Sequence, residues 1–589
     1  MPGEVQSLCA EFQRAVAQFG DATAIHSLDG AFADVTWAEW AEHVEETAGV
    51  LAGLGVGHGD CVALMFSSRP EFHWFDLAAL HLGARTVSVY NTAPAAFVEH
   101  LLTNSEASVF ITETAYSERA EQASGLVAEV VVIDADEASP WSWAKAAARR
   151  PADLDFEATW RAVGPSDLAT MIYTSGTTGP SKGVQLTHGN ILWAVGTYID
   201  EMGLPYGADH LSFLPMAHIA ARNLDYYGQI LRGFRVHLLG DGETLDGIKR
   251  VRPSLFFSPP RVWEKLRSRI QASIAAEPNA VRRERWNSTL AAAIERCRAG
   301  EPAANAEQQA VLREIAGLVG LDRMTAAIVG GARVERELVE FFHGLGIPLG
   351  ESYGLSENSG VCTTNPPGQV RFGTIGVPVG GQEVRMAADG ELLVRGPGVM
   401  AGYRGMPAET AEAIDAEGWL HTGDVVAQDE AGYYRIIDRK KELIINAAGK
   451  NMSPALIQGE LLKANPLLAS AVPVGEGRPY IVALLRLDPD AVAAYCADHG
   501  IPSAPLAALA TDPRIAEEIA AGVARANENL ARVEQVKRYC VVADEWEPGG
   551  EELTATLKIR RRGVIARYAE EIDALYAAGQ EPARVGSPA

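Results

Sequence analysis

Short, uninterrupted apolar runs recur along most of this chain, each near an amphipathic segment, and that alternation restricts it to layered α/β folds. Runs at residues 61–66, 109–112, 130–133 and 168–173 are bounded by turn residues. Continuous apolar runs, as opposed to alternating ones, mark strands covered on both faces, as in sheets with helices packed on either side. With 589 residues the chain exceeds what a single hydrophobic core can serve, so at least two domains are expected. A charged run, Asp438-Arg439-Lys440-Lys441-Glu442, separates apparent strands at 433–437 and 443–445, and divides the chain into 1–437 and 438–589. The second part predicts a strand at 480–487 and a helix at 513–530. Residues 262–315, rich in Ala, Arg, Glu and Gln, read as an inserted pair of surface helices. The Pro/Gly/Ala-rich tail after Gly579 reads as disordered.

The formal net charge is −25, which argues against general nucleic-acid binding, because phosphate backbones would be repelled. An anionic substrate must then be held by a few local cations. The six cysteines are scattered, with no CxxC pair, which suggests a reduced, intracellular chain without a disulfide framework or structural zinc. The N-terminus lacks the pattern of a signal peptide, and no window approaches the apolar length of a membrane span. The expected location is cytoplasmic. No lipid-anchor motif or basic amphipathic helix is evident, so membrane contact is peripheral at most.

The strongest chemical signal is the segment Thr174-Ser175-Gly176-Thr177-Thr178-Gly179-Pro180-Ser181-Lys182-Gly183. It follows the apolar run at 168–173 and precedes a predicted helix starting at Thr187. Glycines let a backbone approach an anion, hydroxyls and amides supply donors, and Lys182 adds charge. Ser181 stands where a Walker A loop would need its second glycine, so this is a different phosphate loop. A plain Ser/Thr/Gly linker is the bland alternative, but linkers seldom join a buried strand to a helix with a lysine attached.

This segment resembles the signature Thr-Ser-Gly-Thr-Thr-Gly-x-Pro-Lys-Gly of the adenylate-forming, AMP-binding enzymes, which include acyl-CoA synthetases, luciferases and peptide-synthetase adenylation domains. Ser181 occupies the place of the family's proline. Four further segments resemble family motifs in the family's order: Gly330-Gly331-Ala332, Glu351 through Glu357, Gly418 through Asp424, and Glu552 through Arg562. The resemblance spans about residues 10 to 570. It implies a large N-terminal domain of βαβ-type sheets and a small, mobile α/β C-terminal domain that rotates between two half-reactions, with Asp438 at the hinge.

The same resemblance implies roles. Thr174, Ser175, Gly176, Thr177, Thr178, Gly179 and Lys182 would cradle the ATP phosphates. Gly331 and Ala332 would lie along adenine and the acyl group, and Tyr353, beside Gly354, would stack on adenine. Ser356 would donate to phosphate, while Glu357, with Thr174, would hold Mg²⁺, a cation that prefers hard oxygen ligands. Asp424 would accept from both ribose hydroxyls, with Arg439 as its companion. Lys558 would sit between the carboxylate and the α-phosphate as the catalytic lysine. Gly449, Lys450 and Asn451 would approach the tunnel for coenzyme A.

Residues 213–222 lack the Phe-Asp-x-Ser pattern of amino-acid-activating domains. Pro215 through His218 resembles long-chain fatty acyl-CoA synthetases, and so do Pro260 through Lys265 and the helical insertion. His218 would lie near the acid's carboxylate or the tunnel mouth. Ala221-Arg222 stands where the family usually has Glu-Arg. The expectation is a medium- or long-chain fatty acid–CoA ligase using ATP, Mg²⁺ and CoA. An acyl-AMP ligase loading a carrier protein, an aryl-CoA ligase and a non-catalytic acyl or nucleotide sensor stand as alternatives.

Overall fold

The computed structural model describes residues 7–174, 181–240, 244–301, 304–447, 450–547, 550–553, 559–577 and 584–585. The density of contacts divides the chain into two units. The first comprises Met1–Arg385, Leu393–Thr422 and Gln428–Arg435, and the second Met386–Leu392, Gly423–Ala427 and Ile436–Ala589. The division cuts four strands, Glu383–Met386, Glu391–Arg395, Leu420–Gln428 and Tyr434–Arg439, each of which gives residues to both units.

The first unit holds two large sheets. One has seven strands, in the order Gly402–Tyr403, Lys182–Thr187, Leu168–Thr174, Arg85–Ser88, Cys61–Met65, Val109–Thr112 and Glu129–Val132. Its middle strands are parallel, and Cys61–Met65, Arg85–Ser88 and Val109–Thr112 are buried along their whole length, which in Cys61–Met65 and Val109–Thr112 matches the apolar runs of the sequence. The other sheet has nine strands and includes the parallel neighbours Leu255–Ser258, Ala326–Gly330 and Leu349–Tyr353.

Two local expectations change. The phosphate motif does not run directly into a helix: Lys182–Thr187 is a strand antiparallel to Leu168–Thr174, and the two strands form a hairpin. Buried Val184 and Leu186 alternate with the less buried Gln185 and Thr187, a period-two pattern that fixes it as a strand. The helix then begins at His188, with Thr187 as its cap: the Asn190 amide donates to the Thr187 hydroxyl and the Thr187 amide to the Asn190 side chain.

The insertion forms three helices, Pro260–Ala275, Ala280–Arg298 and Ala306–Gly317. Asn279 and Asn305 cap the N-termini of the second and third, starts that composition alone hides. Their inner faces are not superficial. Trp263, Leu266, Ile270, Trp286, Leu290 and Ile315 share one core with Phe256, Val329 and Phe342.

In the second unit, Leu468–Val474 pairs antiparallel with Ile481–Leu487, which pairs parallel with Val536–Val542. Helices Pro454–Ala464 and Pro513–Asn529 bury Ile457, Leu461, Ile515 and Ile519 in one core with Ala483 and Leu485. Val564, Ile572 and Leu575 from helices Arg561–Arg567 and Ala569–Ala577 join Leu484 and Val542 in a second core. Successive side chains of a strand point to opposite faces, so the sheet is covered on both sides.

Candidate active site

The neck of the hairpin is held by polar contacts. Thr174 and Lys182 are register partners. The Ser181 hydroxyl donates to the Thr174 carbonyl at 2.7 Å, and the Ser181 carbonyl lies 2.8 Å from His100 Nε2, on helix Ala95–Ser105. The same helix accepts the Tyr173 hydroxyl at Asn104 Oδ1, 2.7 Å away. Thr174 and Lys182 therefore stand at a braced opening. Ser175, Gly176, Thr177, Thr178 and Gly179 lie outside the described residues.

Beside this neck runs the segment 396–405. The Arg404 amide donates to the Gly183 carbonyl at 2.8 Å and the Ala401 amide to the Gln185 carbonyl at 3.0 Å, which makes Gly402–Tyr403 an edge strand on Lys182–Thr187. Lys182 Nζ lies 4.7 Å from the centre of the Tyr403 ring, and the Tyr403 hydroxyl donates to Glu357 Oε1 at 2.9 Å. Two residues expected to face phosphate and metal thus meet on one tyrosine.

Glu357 belongs to the short 3₁₀ turn Ser356–Asn358, which follows the strand Leu349–Tyr353. Gly354 must be glycine: a Cβ there would fall 2.2 Å from the Gly360 carbonyl oxygen. Asn358 closes the turn by accepting from the Leu355 amide at 2.9 Å. Tyr353 is buried, and Ser356 is half-buried. Gly331, at φ 79°, and Ala332 are exposed just past the strand Ala326–Gly330, beside Leu349–Tyr353. Burial pushes the Glu351 carboxyl up to about 8; the Arg333 charge opposes that rise and Glu335 adds to it.

Residues 213–222 lead into six residues of π-helix, Arg222–Tyr227. His218 caps the short turn before it, its Nδ1 accepting from the Ala220 amide at 3.2 Å. Arg222 is fully buried and donates to Asp76 Oδ1 at 2.9 Å, the Ser88 hydroxyl at 2.6 Å, the Tyr227 hydroxyl at 2.8 Å and the Met216 carbonyl at 3.0 Å. Burial pulls the pKa of its guanidinium down, but Asp76 and Tyr227 more than offset that and raise it. Arg222 thus pins the segment that carries His218.

In the second unit, Arg439 Nε forms an ion pair with Asp424 Oδ1 at 3.0 Å, and Asp424 is almost wholly buried. Lys440 pairs with Asp389 at 2.6 Å and Glu391 at 2.9 Å, while Glu391 also accepts from the Gly423 amide. Asp438 accepts from the Ala455 amide at 3.1 Å and from the Ser453 hydroxyl, at the start of helix Pro454–Ala464. Lys450 is exposed, and its amide donates to Asn446 Oδ1 at 3.0 Å. Asn451 opens the strand Asn451–Met452. Gly449 and Lys558 lie outside the described residues; a bridge between Leu553 and Ile559 brackets the segment of Lys558.

The AMP-binding enzyme family matches residues 12–404, and the C-terminal domain of AMP-binding enzymes matches residues 441–580. The chain belongs to the AMP-binding enzyme family. Long-chain-fatty-acid–CoA ligase FadD15 of Mycobacterium bovis is 34% identical over 572 residues, covering 93% of each chain. The protein fadD11 of Mycobacterium tuberculosis is 46% identical over 441 residues, 73% of this chain and 77% of its own. Among solved structures, the adenylation domain of a carboxylate reductase from Mycobacterium chelonae superposes with a TM-score of 0.74 at 21% identity, covering 98% of this chain and 92% of that one. Anthranilate CoA ligase AuaEII, bound to anthranoyl-AMP, gives 0.73 at 18%, over 97% and 98%. These two share the fold.

In this AMP-binding enzyme, motif reading located Lys182 and Glu357 but missed Tyr403, which joins them. Tyr403 lies outside every motif segment, and only strand pairing brings it to Lys182. His100 and Asn104, which brace the hairpin neck, carried no signal in the sequence either.

Proposed function

We propose that this chain activates a medium- or long-chain fatty acid with ATP, through an acyl-adenylate, and transfers the acyl group to coenzyme A. The observation that carries this reading is the meeting of Lys182 and Glu357 on Tyr403 at the mouth of the hairpin that holds the phosphate motif. The fatty-acid preference rests on the similarity to FadD15 and on the 28% identity, over 97% of this chain, to the Gallus gallus long-chain-fatty-acid–CoA ligase ACSBG2.

A carboxylate is a poor acyl donor because its leaving group would be oxide. Its oxygen attacks the α-phosphorus of ATP, the bond from that phosphorus to pyrophosphate breaks, and the acid gains AMP as a leaving group. The thiol of coenzyme A then attacks the carbonyl carbon, loses its proton, and AMP departs. Positioning and charge neutralisation supply most of such catalysis. Lys182 and the hairpin loop hold the phosphates, Tyr353 stacks on adenine, and Gly331 and Ala332 offer backbone groups beside it. Ser356 donates to phosphate. Asp424 accepts from the ribose hydroxyls, and Arg439 orients Asp424 through their ion pair. Lys558 stabilises charge as the attack develops, and Lys450 and Asn451 serve the thiol side.

Among the described residues, no group of three His, Cys, Asp or Glu side chains could hold a resident metal. One carboxylate, Glu357, and one hydroxyl, Thr174, fit a Mg²⁺ that arrives with ATP and keeps water and phosphate oxygens as its other ligands. When bound, Mg²⁺ neutralises phosphate charge.

The test is a substrate screen with ATP and Mg²⁺, using acids from octanoate to stearate, aryl acids and acetate, with coenzyme A and a carrier protein offered separately. Thioester formation from the longer acids and coenzyme A is expected. Turnover of aryl acids or acetate alone would sink the chain-length assignment, and transfer to the carrier protein alone would replace coenzyme A as acceptor. Lys558→Ala should damage adenylation far more than thioester formation from preformed acyl-adenylate.

A further inference from the structure

Lys182 and Glu357 carry opposite charges beside one aromatic ring, yet among the described ion pairs neither is paired with the other or with any third residue. We infer that Tyr403 is a positioning residue that keeps this cation and this carboxylate apart, so that each retains its charge for the substrate. The inference rests on the phosphate and metal roles proposed for Lys182 and Glu357.

The arrangement uses both chemical features of a tyrosine. The phenolic hydroxyl donates to Oε1 of Glu357 at 2.9 Å, which occupies one carboxylate oxygen and fixes the direction of the other. The ring holds the Lys182 ammonium at 4.7 Å, a weak attraction that phosphate oxygens can outcompete. A direct Lys182–Glu357 ion pair would be harder to open, and would satisfy both groups before ATP or a metal arrived.

The backbone under Tyr403 is fixed from several directions, as a spacer requires. The Tyr403 amide donates to the Thr410 hydroxyl at 2.9 Å, and the Arg404 amide to the Gly183 carbonyl at 2.8 Å. The Met400 amide donates to the carbonyl of Glu357 itself at 2.9 Å, and the Ser359 hydroxyl to the Gly398 carbonyl at 2.8 Å. Gly402, at φ 136°, lets the strand pass Thr410, since a Cβ there would lie 2.9 Å from Thr410 Cγ2. The segment that carries Tyr403 is therefore bonded to both elements whose side chains it separates.

The experiment measures ligand binding. Mn²⁺ binding is followed by electron paramagnetic resonance in the presence of α,β-methylene-ATP, and binding of the same nucleotide is followed calorimetrically in EDTA. Tyr403→Phe keeps the ring and removes the hydroxyl. It should weaken Mn²⁺ binding by roughly threefold to tenfold and leave metal-free nucleotide binding unchanged. Tyr403→Leu removes the ring. It should weaken metal-free nucleotide binding by about fivefold or more, because Glu357 captures Lys182, and adding Glu357→Gln should restore it. Unchanged Mn²⁺ binding in Tyr403→Phe, or a loss in Tyr403→Leu that Glu357→Gln does not rescue, overturns the inference. If Tyr403→Leu does not fold, the Tyr403→Phe result decides alone. Glu357→Gln by itself separates the two levels: if it leaves Mn²⁺ binding intact, the proposed metal role has failed and not merely the role of Tyr403.

Discussion

Ser181 donates its hydroxyl to the Thr174 carbonyl across the base of the phosphate hairpin, and His100 reaches its carbonyl from the neighbouring helix. The family's loop has proline at this place, which restrains the chain through its ring. Serine restrains it through a bond that can open. Ser181→Ala removes that bond, at a cost of about 1 kcal/mol. The expected result is a roughly fivefold rise in the KM for ATP with kcat for adenylation little changed. Ser181→Pro should return the KM toward the parent value. Steady-state pyrophosphate release at saturating acid measures both, and a large fall in kcat would show that the hydroxyl takes part in the chemistry. Ser181 was visible in the sequence as an irregularity, but its partner was not, because a carbonyl oxygen has no sequence signature.

At the scale of elements, the π-helix Arg222–Tyr227 is the joint of the first unit. Arg222 reaches Ser88, on a strand of the seven-stranded sheet. Asp225 receives a hydrogen bond from the Ser212 hydroxyl at 2.7 Å and lies 2.8 Å from His210 Nε2, both on a strand of the nine-stranded sheet. Asn223 donates to the Ser359 carbonyl at 2.7 Å, just past the turn that carries Glu357. Removing one partner of a fully buried ion pair strands the other charge, so Arg222→Met should destabilise the protein by about 3–5 kcal/mol. Arg222→Met combined with Asp76→Leu should lose clearly less than the sum of the two single variants. Denaturant unfolding of the three variants supplies the comparison, and strict additivity would mean that the pair is not coupled. The strands that this joint connects, Arg85–Ser88 and Asp209–Ser212, are largely polar in sequence and carried no signal there. Nor did the joint itself, since only the folded chain shows Arg222 meeting Asp76.

For the whole molecule, Glu351 makes global stability depend on pH. Its carboxyl is raised from 4.5 in an ordinary setting to about 8 by burial. Between those values the folded protein holds a proton that the unfolded chain has released, so stability falls as pH rises through that window and levels off above it. Melting temperatures recorded across the window should decline with pH, and Glu351→Gln should flatten that part of the profile. An equal slope in both proteins would remove Glu351 as its source. Layered α/β units were legible from the chain as a general plan. Motif order singled out Tyr353, Glu357, Asp424 and Arg439 but not the strands and the turn that carry them. Less legible was depth. Residues 262–315 read as surface because their charged faces dominate the composition, yet Trp263 lies 5.4 Å from Phe256 and 4.9 Å from Phe342, ring to ring, at the bottom of a shared core. Such an addition behaves as a ratchet. Because the sheet relies on these tryptophans to keep Phe256, Val329 and Phe342 dry, the helices can be varied or extended but not removed, and any attempt to trim the protein to a minimal catalyst must begin elsewhere.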